Sequence, residues 1–83
     1  MSETVDVIAV ARISMLRMGN TWQTLGKLNQ AVDTYLRIVR EHEGSEEAES
    51  ARLALLQIAQ GFEAEGQYHL SMGILDRLTE TAA

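Results

Sequence analysis

Two histidines, one run of carboxylates and a single Gly-Lys pair are the places in this 83-residue sequence where residue type and spacing could support chemistry. His42 and His69 stand apart, with no cysteine and no second histidine at ligand spacing, so a metal or proton-transfer site built on either would lack partners. Glu41, Glu43, Glu46, Glu47 and Glu49 could attract a cation or a basic partner. A solvated connection followed by a helix start explains the same run, because helix N-termini favour negative charge. Gly26-Lys27 would belong to a phosphate loop only with a glycine five residues upstream and a hydroxyl residue after the lysine; the preceding glycine is Gly19, and Leu28 follows. Helical spacing forces no serine, histidine and carboxylate together, so no catalytic residue, metal or cofactor is expected and the chain reads as a non-enzyme.

The elements that would position these residues follow from composition. A hydrophobic content of 46% argues for a folded chain, and 83 residues give room for a single domain spanning 1–83. With no cysteine, no disulfide or thiolate metal site can staple so small a core. The net charge of -5 argues against nucleic acid, whose binding is driven by neutralising phosphates. Charge is also unevenly spread. Residues 1–40 carry Arg12, Arg17, Lys27, Arg37 and Arg40 against Glu3, Asp6 and Asp33, whereas residues 41–83 carry nine acidic side chains against Arg52 and Arg77. The acidic start and the short apolar run from Val7 to Ala11 fit neither a secretory signal nor a membrane span, so the expectation is a cytoplasmic protein with no membrane partner.

No proline occurs, and helix formers dominate between glycine-marked turns. Shifting the chain by forty residues lays the apolar skeleton on itself: Met15 on Leu55, Met18 on Ile58, Gly19 on Ala59, Trp22 on Phe62, Gly26 on Gly66, Ala31 on Ser71 and Tyr35 on Leu75. The spacing predicts an all-α fold of four helices at about 4–24, 28–42, 46–64 and 68–81, with Ser45 capping the third. Small residues at Gly19 and Ala59 would let the helices of each hairpin approach, and Gly26 and Gly66 suit tight turns. An antiparallel four-helix bundle would give the same periodicities.

Met15, Met18-Gly19, Trp22, Gly26, Ala31 and Tyr35, repeated as Leu55, Ile58-Ala59, Phe62, Gly66, Ser71 and Leu75, resemble the tetratricopeptide repeat (TPR). The resemblance implies two antiparallel helical hairpins stacked as a short superhelix, with repeat one at about 12–44, repeat two at about 52–83 and an N-terminal extension of helix one over 4–11. The sequence departs from the family at Met15, where tryptophan is usual, at Ile38 and Leu78, where a small residue is usual, and near Glu43, where a proline is usual. The family period is about 34 residues. The extra length is expected around His42-Glu43-Gly44-Ser45, as a lengthened connection.

Helix one shows two apolar stripes. Ile8, Ala11, Met15, Met18 and Trp22 are assigned to packing within the hairpin, and Val5, Ala9, Ile13 and Leu16 to a second, outward stripe. The resemblance implies that the first helix of each hairpin lines a concave groove. The candidate partner-binding residues are therefore Val5, Ala9, Ile13, Leu16, Asn20 and Gln23, joined on the third helix by Leu53, Leu56 and Gln60. The basic residue of the family's carboxylate clamp is missing at Leu16 and Leu56, so the groove suits an apolar or amphipathic segment. Val32, Leu36 and Val39 should receive the third helix, while Met72, Asp76 and Thr79 give the last helix a more polar outer face. The expected function is an adaptor or assembly module that holds another protein or a second copy of itself, as a homo-oligomer or part of a complex. The alternatives are a structural homo-oligomeric bundle and a non-catalytic accessory subunit.

Overall fold

The computed structural model describes residues 6–82, and among them every regular element is an α-helix: α1 Val7–Thr24, α2 Leu28–Glu41, α3 Glu46–Ala64 and α4 Tyr68–Ala82. Each boundary has a local cause. Asp6, expected inside the first helix, is its N-cap, its carboxylate accepting from the Ala9 N–H at 3.1 Å. Ser45 caps α3 in the same way: its Oγ accepts from the Ala48 N–H at 3.0 Å and donates to the His42 carbonyl at 2.7 Å. Gly26 and Gly66 end the first helix of each hairpin at φ +77° and +80°, which a side chain would strain. Helix α2 stops one residue before the expected His42, whose N–H bonds to the Ile38 carbonyl at 2.9 Å, and α4 runs one residue further than expected.

The connection between the hairpins is the four residues 42–45. The helices run to 18 and 14 residues in the first hairpin and 19 and 15 in the second.

Consecutive helices pack on one another, α1 also touches α3, and α2 also touches α4, whereas α1 and α4 do not meet. A closed four-helix bundle would bring its first and last helices together. Two stacked hairpins leave them apart, and the radius of gyration of 13.9 Å exceeds the ~12 Å of a compact domain of this length. The core is Ala31, Val32, Tyr35, Leu36, Ile38 and Val39 from α2, Ala48, Ala51, Leu55, Ile58 and Ala59 from α3, and Ile74 from α4. Helix α2 thus sits in the middle of the molecule, and Val32, Leu36 and Val39 are buried while Met72, Asp76 and Thr79 at the equivalent positions of α4 are exposed.

The apolar stripe assigned to packing within the first hairpin is corrected. Ile8, Ala11 and Met18 are exposed, and the most deeply buried residue of α1 is Gly19, with Arg12, Met15, Leu16, Trp22 and Gln23 half-buried around it. Most of the sequence from Val7 to Leu16 is apolar, so apolarity alone does not single out the side that faces α2. The approach at Gly19 does.

Candidate interaction surfaces

The closest helix contact fixes every other face. A Cβ at Gly19 would stand 2.6 Å from the Tyr35 Cε1, so the ring of the fully buried Tyr35 packs directly against α1 at the position the glycine leaves open. Its hydroxyl is 2.7 Å from both Asn20 Oδ1 and Gln23 Oε1. A hydroxyl has one hydrogen, so it donates to one amide oxygen while the other amide, turned over, donates to the phenol oxygen. Burial pushes the Tyr35 hydroxyl above its ordinary pKa. Asn20 and Gln23, both among the candidate partner-binding residues, are thereby engaged in holding Tyr35. The second hairpin has no such arrangement: Ala59 replaces Gly19, and Leu75 replaces the tyrosine.

Two ion pairs join the hairpins, one in each layer. Arg12 Nε meets Glu47 Oε1 at 2.9 Å between α1 and α3, and Arg77 Nη2 meets Asp33 Oδ1 at 3.2 Å between α4 and α2. The first is mostly covered and the second exposed. The Arg12 hydrogen bond, aided by the N–H of Glu47 itself, holds the Glu47 carboxyl below the usual glutamate range.

With Gly19 as the point that faces α2, successive residues turn by about 100°. Leu16, Ala9, Asn20 and Ile13 then lie at about 60–120° on one flank, and Trp22, Ala11, Met18 and Leu25 at about 60–120° on the other. The first flank carries the expected site. Ile13 is 46% exposed, and its counterparts on α3, Leu53 and Leu56, are 58% and 40% exposed, with the exposed amide of Gln60 beside them. Leu16 packs against the core and Ala9 is half-buried, so both border this surface without projecting from it. Val5 lies outside the described residues.

The opposite flank was not singled out by the sequence reading, which had turned it inward. Met18 is 54% exposed and Leu25 62%, and with Ser14, Arg17, Thr21 and Trp22 they line an open depression of about 440 Å³. The forty-residue repeat was the available signal. On α3 the same flank carries Ala51 and Ile58, both buried, with Ala54 and Phe62 packed against the core. On α3 this flank packs in the core shared with α2, and on α1 nothing among the described residues covers it.

His69 lines a second opening, of about 390 Å³ between α2, α3 and α4, beside the paired Asp33 and Arg77. Among the described residues no group of three His, Asp or Glu side chains is placed to hold a metal ion, and no helix is long and apolar enough to cross a membrane. Comparison with known proteins finds no matching family model, no matching curated protein and no matching solved structure.

Proposed function

We propose that the chain is a non-catalytic protein-interaction module of the tetratricopeptide kind, which holds an apolar or amphipathic protein segment against the exposed flank of α1 and α3. The observation that carries this reading is the set Ile13, Leu53 and Leu56. These large apolar side chains stay open to solvent on neighbouring helices after the core has closed. Exposed apolar surface of this kind marks docking sites more often than chance exposure does. The amide of Gln60 supplies a hydrogen-bonding group at its edge. The resemblance to the family is supported by the left-handed glycines after α1 and α3, by the burial of the small residues Ala31 and Ser71, and by the separation of α1 from α4.

The test compares two variants in pull-downs from the native host. Leu53→Glu with Leu56→Glu places carboxylates on already exposed positions, so the helical circular dichroism signal should stay while bound proteins are lost. Met18→Glu, on the opposite flank, serves as the control and should keep them. Retention of the same proteins by the Leu53/Leu56 variant sinks the groove reading.

A further inference from the structure

The uncovered flank of α1 carries Val7, Ala11, Ser14, Met18, Thr21 and Leu25, spaced by four, three, four, three and four residues. That is the alternation of a coiled-coil seam sustained along the whole helix. All but the two hydroxyl residues are apolar, and Thr21 already satisfies its hydroxyl on the Arg17 carbonyl at 2.9 Å. The fold itself shows that the middle of this flank can receive a helix, since its repeat on α3, Ala51, Ala54 and Ile58, is packed in the core, while Gly61 and Glu65 further along are exposed.

A preceding hairpin does not fit there. Such a hairpin would also contact the helix that follows, as α2 contacts α4, on which Leu70 and Ile74 line the opening shared with α2 and Leu78 packs on the core. At the first two of these positions α2 carries Gln30 and Thr34. Copies stacked head to tail do not fit either. Both ion pairs that join the hairpins would lose a partner at such a junction, because Val7 stands where Glu47 stands in the repeat and Gly73 where Asp33 stands. Asp76 would moreover face the seam where Leu36 is buried.

One helix along α1 remains, and the seam is complementary to itself. Laid antiparallel about a two-fold axis between Ser14 and Met18, it sets Val7 against Leu25, Ala11 against Thr21 and Ser14 against Met18 of the other copy. Each smaller residue meets a larger one, as interdigitation requires. We propose that two copies of the chain pair through α1 in this antiparallel register and form a closed dimer. The pair leaves Ile13, Leu53 and Leu56 on the far flank free, so it does not depend on the groove proposal. A two-fold pairing also ends the assembly at two copies, whereas a head-to-tail contact would propagate.

Sedimentation of the full chain at tens of micromolar should give twice the 9.2 kDa of one copy. Met18→Glu should sediment as a helical monomer, and Leu56→Glu should remain dimeric. The register is read by disulfide cross-linking, which is clean because the chain has no cysteine. A mixture of Val7→Cys and Leu25→Cys chains should cross-link, whereas Leu25→Cys alone should not, its thiols lying about 27 Å apart along the seam. A monomeric parent, a mass that keeps growing with concentration, a Met18→Glu chain that still pairs, or ready cross-linking of Leu25→Cys with itself would each overturn the proposal.

Discussion

Gly19 and Tyr35 illustrate how one missing side chain can decide a fold. Glycine at 19 lets an aromatic ring pack directly against the helix, and the ring in turn sets which side of α1 faces inward. Gly19→Ala keeps helix propensity or improves it, yet it drives a methyl into a ring that has no room to retreat. It should cost about 1–3 kcal/mol in urea unfolding, the reverse of the gain expected for this change on an open helix face. Tyr35→Phe should cost about 1 kcal/mol, because Asn20 and Gln23 are close enough to water to be rehydrated. Glu47 belongs to the same scale. Its folded pKa lies below that of the unfolded chain, so the stabilisation is present above the ordinary glutamate range and is lost as pH falls through the folded value. Glu47→Gln should flatten the acid limb of the stability profile measured by thermal melting, and an unchanged limb would show that the Arg12 pair contributes nothing.

At the scale of elements, helix ends were legible in the sequence because punctuation is local. Ser45 offers its hydroxyl to the first turn of α3, and Gly26 and Gly66 accept a backbone that other residues resist. Replacing Gly66 with Ala should therefore cost on the order of 1–2 kcal/mol, with Gly26→Ala close to it, although a Cβ at either meets no neighbour within 4 Å. The faces of α1 were not legible. Contrast between apolar and polar sides tells a helix which way to turn, and α1 has little of it: its inward face holds Arg12 and Gly19 while Met18 and Leu25 point to water. Helix α2, packed on both sides, was read correctly at Val32, Leu36 and Val39 because its polar side is unambiguous. The exposure of Ile13, Leu53 and Leu56 was legible from the outward stripe of α1 and its repeat on α3. The engagement of Asn20 and Gln23 was not, since it depends on a tyrosine more than ten residues away that only packing brings near.

For the whole molecule, an open stack of two hairpins leaves each hairpin with a single neighbour, so stability is the sum of two modest units and one interface. Such an arrangement gains from anything that covers an end. If α1 pairs with α1, melting temperature should rise with protein concentration, because association draws on the folded chain alone. Met18→Glu should abolish that dependence while leaving the melting point at high dilution near that of the parent. Arg77→Ala should have little effect at any concentration, its ion pair with Asp33 being exposed, as such pairs contribute about 0–1 kcal/mol.

Trp22 is the only tryptophan, and it stands half-buried on the rim of the depression that Met18 and Leu25 line. The chain therefore carries its own optical reporter at the junction of two environments, one already dry against the core and one still wet. Seating a helix on the seam strips water from the indole without moving the rest of the core. If copies pair through α1, its emission should shift to shorter wavelength, and the two tyrosines, Tyr35 and Tyr68, allow the same sample to be followed by energy transfer into that one ring. Assembly of an unlabelled, unmodified chain is thus a spectroscopic observable. The blue shift should vanish with Met18→Glu and survive Leu56→Glu.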